Sequence, residues 1–428
     1  MTDAIAIGVF VVAYILIATE WVHRVVVALA GAGLMLLFRI VDAHDAFSSE
    51  RLGVDWNVIF LLLGMMIIVG VLRQTGLFEY LAIWSARRSR GRPFVVLALL
   101  IVITAVASAL LDNVTTILLV APVTVLIAER FGVPPAPFLV AEVLASNIGG
   151  TATLIGDPPN IIIGSAAGLS YLDFVVNLAP LVVVLLVVFI GLARWLFRDA
   201  LAFHPERVND VMALDPKEAL VGGPLLPKAL AVLAVVTLAF GLQELLHYEP
   251  SVVALLGAGT LLLVAPDQLQ EATEEIEWGT LLFFIGLFVM VGALVQVGVI
   301  EDLARVVVDV TGGNLLLATV LLVLISAALS AIIDNIPYVA TMVPIVATLS
   351  AELPGDTTVL WWALAIGADL GGNATSIGAS ANVVALGVAE RSGSKVRFSQ
   401  FLAYGVPTVI VTLGISLAYL WLRYFVFG

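Results

Sequence analysis

Two Asp-Asn pairs, Asp112-Asn113 and Asp334-Asn335, interrupt long apolar runs of a 428-residue chain and lie 222 positions apart. A carboxylate beside an amide can carry a proton, or hold a cation such as Na⁺ with neighbouring oxygens completing the shell. An ionisable group at membrane depth costs at least about 2.5–3.5 kcal/mol, so it needs a partner, a water-filled cavity or a task. Asp112, Asn113, Asp334 and Asn335 are therefore a candidate Na⁺ or proton site. The plainer alternative is that Asp112 and Asp334 only N-cap half-helices starting just after them, with Pro337 suited to such a start. Ser or Thr would cap as well without the charge, which favours the ion reading.

A second pair of motifs reads Ser-Asn-Ile-Gly-Gly-Thr-Ala-Thr-Leu-Ile-Gly-Asp-Pro-Pro-Asn over 146–160 and Asp-Leu-Gly-Gly-Asn-Ala-Thr-Ser-Ile-Gly-Ala-Ser-Ala-Asn over 369–382. Tandem glycines and Pro158-Pro159 cannot sustain a continuous helix. Inside a membrane, unwound backbone survives only within protein or against a cavity. There it offers carbonyls to cations and, at the next half-helix, N–H groups to an anion. The candidate ion- or substrate-binding residues are Asn147, Gly149, Gly150, Thr151, Thr153 and Asn160 in the first copy. Gly371, Gly372, Asn373, Thr375 and Asn382 are those of the second, with Asn113 and Asn335 joining both sets. A kinked helix with glycines for close packing is the alternative; the accompanying Asn, Thr and Asp argue against it. The copies differ chemically: Asp157 aligns with Ala379, Asn147 with Asp369 and Glu142 with Leu364. Asp112 and Asp334 are thus symmetric coupling carboxylates, and Asp157 and Asp369 asymmetric ones, an arrangement in which one group titrates while another stays ionised. Glu142 lies on the approach to the site and either serves it or merely faces water.

These motifs must be held by membrane helices. Of the chain, 61% is apolar and only 12% charged, with a mean hydropathy of +1.13. Soluble domains average about 45–50% apolar and about 25% charged. Long unbroken apolar runs exclude a β-barrel, so the class is an all-α polytopic membrane protein in contact with lipid. A net charge of −13 excludes nucleic-acid binding. There is no cysteine for disulfide, thiolate or zinc–sulfur chemistry, and His23, His44, His204 and His247 are scattered. The first apolar stretch lacks the basic lead of a cleavable signal and reads as a retained helix. Single crossings are expected near 4–18, 22–40, 57–75, 174–197, 228–246, 251–265, 279–297 and 400–424. The stretches 94–128, 136–167, 314–350 and 358–388 are too long or too interrupted for one plain helix.

The 222-residue shift aligns much more than the Asp-Asn pairs. It brings Trp56 onto Trp278, Gly64 onto Gly286, Gly76 onto Gly298, Pro122 onto Pro344, Gly149-Gly150 onto Gly371-Gly372 and Asn160 onto Asn382. Matches in polar and glycine positions at one constant offset signal duplication. With 94–128 as a re-entrant hairpin and 136–167 as a broken crossing, each half has five crossings, an odd number that inverts the second half. The expected architecture is two inverted repeats, about ten crossings plus two hairpins. Basic residues agree. Following the alternation from Arg87, Arg88, Arg90 and Arg92, fifteen of the nineteen Lys and Arg fall on one side, leaving Arg39, Arg51, Arg305 and Arg423 opposite. The positive-inside rule makes the first side cytoplasmic and both termini external. The segment 268–277 reads as an acidic solvated loop, and 83–93 as a basic one.

At these motifs the sequence resembles the ion transporter superfamily, which includes arsenite permeases, the melanosomal P protein, D-type Na⁺/H⁺ antiporters and citrate or dicarboxylate carriers. It is most similar to the P protein and to arsenite-permease-related bacterial proteins. The likeness rests on 148–160, on Asp334-Asn335-Ile336-Pro337 and on 371–382, and extends over essentially the whole chain. It implies a homodimer in a prokaryotic plasma membrane. Each protomer would have scaffold helices at 1–93 and 228–313, mobile transport parts at 94–199 and 314–428, and a cytoplasmic linker at 200–227. The function implied is secondary active transport by an elevator movement, coupled to H⁺ or Na⁺, with no other cofactor and no enzymatic step. Four Asp and no Lys or Arg near the breaks favour a cation or a neutral hydroxide such as arsenite, exported from the cytoplasm. A Na⁺/H⁺ antiporter and a citrate or dicarboxylate carrier are the alternatives. Carboxylate carriers of the superfamily have Ser-Asn-Thr at the hairpin tips, where this chain has Asp-Asn-Val and Asp-Asn-Ile. An ion channel suits a closed midplane site poorly. An intramembrane aspartyl protease lacks its Gly-x-Gly-Asp sequence, since Ile155-Gly156-Asp157 stands there.

Overall fold

The computed structural model describes residues 2–19, 21–49, 52–201 and 212–427, and among them every regular element is helical. The first half runs α1 (Thr2–Thr19), α2 (Arg24–Leu37), α3 (Ala43–Ser48), α4 (Trp56–Arg73), α5 (Leu77–Arg88), α6 (Pro93–Leu110), α7 (Asn113–Phe131), α8 (Ala136–Gly150), α9 (Pro158–Ala167) and α10 (Tyr171–Leu196). The second repeats the order: α11 (Leu225–Gly241), α12 (Pro250–Val264), α13 (Leu269–Glu274), α14 (Trp278–Gln296), α15 (Val299–Thr311), α16 (Leu315–Ser330), α17 (Asn335–Glu352), α18 (Thr358–Gly371), α19 (Ser380–Arg391) and α20 (Phe398–Trp421). Each of these helices has its counterpart ten places on, as duplication requires, while the one-turn helix Gln243–Leu246 belongs to the second half alone. Each repeat contains a hairpin (α6–α7, α16–α17) and a crossing broken in its middle (α8–α9, α18–α19).

Packing repeats the same two-fold relation. α4 lies against α12 and α14 against α2, so the halves are joined by one contact made twice. Glycine sets its closeness. A Cβ at Gly64 would stand 2.7 Å from the carbonyl carbon of Ala254, and one at Gly286 2.6 Å from that of Ala28. Helices without side-chain bulk at the crossing gain dispersion contact that lipid cannot supply. These four helices form a wall. Against it α7 packs on α19 and α17 on α9, so each hairpin meets the broken helix of the other half. The outward faces stay apolar, with Val183, Val187, Leu256 and Leu263 exposed, as helices against lipid require.

The expected crossings and breaks fall within a few residues of the observed helices. Two expectations are corrected. The basic loop at 83–93 is helical as far as Arg88, because Gly76, with φ +71°, turns the chain sharply out of α4 into the half-polar α5. Gly298 (φ +80°) does the same before α15. The acidic segment at 268–277 is not simply solvated. Its α13 packs on α4 through the buried Ala272, and Glu275 forms an ion pair with Arg73. Of the linker at 200–227, residues 202–211 lie outside the described residues. Beyond them a 3-10 turn at Pro216–Ala219 rests on α5, and Val221 N–H donates to Thr75 O at 3.0 Å.

Candidate functional site

Each hairpin tip is capped by its aspartate. Asp112 Oδ1 accepts from Thr115 N–H at 2.8 Å, and Asp334 Oδ1 from Ile336 N–H at 3.1 Å. Both side chains thus satisfy N–H groups that a helix start leaves free. Asp334 does more. Its other oxygen accepts a hydrogen bond from Ser380 Oγ and lies 3.6 Å from Arg24 Nη1, which itself donates to Ser380 Oγ at 2.8 Å. The expectation of no Arg or Lys near the breaks therefore fails: Arg24, from the first turn of α2, stands beside the second break. The charge count places it among the fifteen basic residues of the cytoplasmic side, and only the folded chain brings it beside Asp334 and Ser380.

The breaks are built alike. Thr153 Oγ1 donates to Ala109 O and Thr375 Oγ1 to Ala331 O, both at 2.5 Å, tying each break to the hairpin of its own half. Asn160 Nδ2 donates to Gly150 O (3.2 Å) and Thr153 O (3.1 Å), and Asn382 Nδ2 to Gly372 O and Thr375 O (2.8 Å each). These amides occupy carbonyls that unwinding deprives of helical donors. Thr151 Oγ1 is likewise turned to Asn147 O, at 2.9 Å. Gly149 and Gly371 are required by close approach: a Cβ would come within 2.2 Å of Ala105 O and 2.4 Å of Ala327 Cα respectively. Gly150 and Gly372 lie against Gly156 and Gly378 across each break.

Between the breaks lies a buried cluster drawn from both halves. Asp157 accepts from Asn113 Nδ2 at 2.8 Å and from Asn335 Nδ2 at 3.2 Å, so both hairpin tips converge on one carboxylate. Asn113 Nδ2 also reaches Asn147 Oδ1 at 3.1 Å. Asn147 Nδ2 in turn donates to Asn373 Oδ1 (2.9 Å) and Asn382 Oδ1 (3.2 Å). Asn373 Nδ2 ends the chain on Leu144 O at 3.1 Å. Asp369 is fully buried beside this network, with neither oxygen receiving a hydrogen bond. A connected amide network around two carboxyls is chemistry for a small cation or a proton. The structure thus gathers Asp157, Asp369, Asn113, Asn335, Asn147, Asn160, Asn373 and Asn382. It leaves Asp112 and Asp334 at the tips, and gives Thr151, Thr153 and Thr375 backbone partners.

Glu142 does not face water. It is buried between α7 and α8, where Thr124 Oγ1 donates to Oε1 at 2.6 Å. A cavity of about 680 Å³ lies apart from the aspartates of the centre. Asp55, Asn57, Ser165, Glu249 and Ser251 line it, with Leu154 and Ile161 on the side of the break.

Comparison with known proteins agrees with this architecture. An uncharacterized transporter of Mycobacterium tuberculosis is 54% identical over 99% of both chains. The 46 kDa membrane protein of Mycobacterium leprae is 52% identical over the same shares. The human P protein is 32% identical over 99% of this chain and 60% of its own length. Among solved structures, MtrF of Neisseria gonorrhoeae, described as one of a class of antimetabolite efflux pumps, superposes with a TM-score of 0.63 at 13% identity, covering 96% of this chain and 95% of its own. The YdaH transporter of Alcanivorax borkumensis, described as having an unusual topology, gives 0.56 at 14% identity, over 95% and 98%. At such identities the likeness is one of fold. Residues 14–367 match the sequence profile described as citrate transporter, and the chain, a multi-pass integral membrane protein, belongs to that transporter family.

Proposed function

We propose that the protein is a secondary active transporter that moves a small ion by alternating access, coupled to H⁺ or Na⁺. The observation that carries this reading is Asp157, buried and held by amides from both hairpin tips. A carboxylate so placed closes a site at the meeting of two mobile half-helices, as a carrier needs and a continuous pore does not. The wall of α2, α4, α12 and α14 would be the scaffold, and the hairpins and broken helices the part that moves. Exposed apolar faces would lie against lipid and against a second copy in a prokaryotic plasma membrane, both termini outside.

The buried centre holds acidic and amide groups, which supports a cation or a neutral hydroxide such as arsenite, moved out of the cytoplasm. A second reading, a citrate or dicarboxylate carrier, is supported by the family's description and by Arg24 beside the N-terminus of α19. Proteoliposomes on a solid-supported membrane separate the two when Na⁺, arsenite and citrate are each applied across a pH step. A substrate-dependent current that Asp157→Asn abolishes is the expected result. Wild-type current in that variant removes Asp157 from the site and sinks the reading.

A further inference from the structure

Asp369 and Asn160 pose a hydrogen-bond problem that the ion-binding centre does not solve. Both hydrogens of Asn160 Nδ2 are committed to Gly150 O and Thr153 O, so its Oδ1 is fixed as the free end. No donor reaches that oxygen, although the residue is fully buried. Facing Asp369 are Asn160 and Thr151. The Thr151 hydroxyl hydrogen is already spent on Asn147 O. Asp369 and Asn160 Oδ1 are thus buried acceptors that receive no hydrogen, and each buried acceptor so left costs about 1–3 kcal/mol.

The duplicated half of the molecule shows what is missing. Under the 222-residue shift Asp369 is the counterpart of Asn147, and Asn160 that of Asn382. In that pair Asn147 Nδ2 donates to Asn382 Oδ1 at 3.2 Å. A protonated carboxyl has the shape of that amide and can donate from the same place; an ionised one only accepts. Resting on the transporter reading above, we infer that Asp369 holds a proton which it donates to Asn160 Oδ1, and that this is the coupling proton of the cycle. Asp157 has the opposite shell, with amide donors on its oxygens, and is the ionised partner.

Charged groups around the pair fit this division. Asp157 and Asp369 are within electrostatic reach of one another, and like charges in one buried site do not both ionise readily. Asp112 and Asp334 cap the hairpin tips, the latter next to Arg24. Glu142 is engaged elsewhere, by Thr124. Loss of the Asp369 proton sets a bare carboxylate against Asn160 Oδ1. The second broken helix must then part from the first. Proton release is in this way tied to a movement between the halves.

Infrared difference spectroscopy of the purified full chain in lipid nanodiscs reads the proton directly and requires no transported substrate. At neutral pH the wild type is expected to show a protonated-carboxyl C=O band that shifts in ²H₂O and is lost in Asp369→Asn. The band should persist in Asp157→Asn and in the Glu142→Gln control. Asp369→Asn supplies an amide donor to Asn160, so its melting temperature should be no lower than that of the wild type. If Asp369→Asn does not fold, ¹³C-aspartate labelling of the wild type and of Asp157→Asn assigns the band instead, since Asp369 is the aspartate left to carry it at the centre. A spectrum unchanged by Asp369→Asn, or no labelled-aspartate acid band, overturns the proposal. So does a Na⁺-dependent rise in melting temperature that requires Asp369, which would make the site a cation site. Absence of flux in proteoliposomes would count against the transporter reading and leave the band unaffected.

Discussion

Asp112 and Asp157 are both carboxyls at interruptions of apolar helices in the first half, yet their partners give them different work. Asp112 satisfies a helix N-terminus through Thr115 N–H, whereas Asp157 takes side-chain donors from two hairpins. Asn caps a helix about as well as Asp does, while Ala costs about 0.5–2 kcal/mol at such a position. Asp112→Asn should therefore keep both its melting temperature and its transport current, and Asp112→Ala should lose stability by about that amount in thermal unfolding. A stable Asp112→Asn protein without current would return this residue to the ion site. The sequence offered the cap as the plainer reading of Asp112, and spacing could not decide between cap and ligand because both put Asp before a half-helix. For Asp369 the alignment with Asn147 was the informative signal, since it marked where one half has a donor that the other must replace with a proton.

At the scale of the helix, glycine decides where two backbones can meet. Gly149 sits on Ala105 and Gly371 on Ala327, the same crossing of hairpin and broken helix in each half. Added bulk in so close a contact costs roughly 1–3 kcal/mol. Gly149→Ala and Gly371→Ala should each lower thermal stability by that order and weaken the Thr153 or Thr375 tether beside them. Gly191→Ala in α10, where a Cβ meets nothing within 4 Å, should be neutral or slightly stabilising. Equal stability in all three variants would mean the crossing is not tight. Most of the elements were legible because apolar length and the Gly-Gly and Pro-Pro interruptions report directly on membrane helices and their breaks. α5, α13 and α15 were not, since helices that lie along the molecule's ends are short or half polar and carry charges that read as loop. Arg24 was illegible for a related reason: its partners, Asp334 and Ser380, come from the far half of the chain.

For the molecule as a whole, the two halves are alike in sequence but are not in equivalent positions. At one end Ser165, near the close of α9, donates to Asp55 at the head of α4. The counterpart of that contact under the repeat is Glu277 with Gly387, and it is not made: a Cβ at Gly387 would meet nothing within 4 Å. Instead α19 reaches the wall through its first residue, Ser380, against Arg24. Seven residues of helix separate Ser380 from Gly387, about 10 Å at roughly 1.5 Å per residue. In the proposed alternating-access cycle the halves would exchange these environments, with the moving part sliding along the wall between them. The cysteine-free sequence makes this directly testable. Asp55→Cys with Ser165→Cys should form a disulfide in the state described, and Glu277→Cys with Gly387→Cys only after the exchange, each bridge needing Cα atoms within about 7 Å. Either bridge should stop transport current and its reduction should restore it. Full current in both oxidised variants would show that the hairpins and broken helices do not move against the wall.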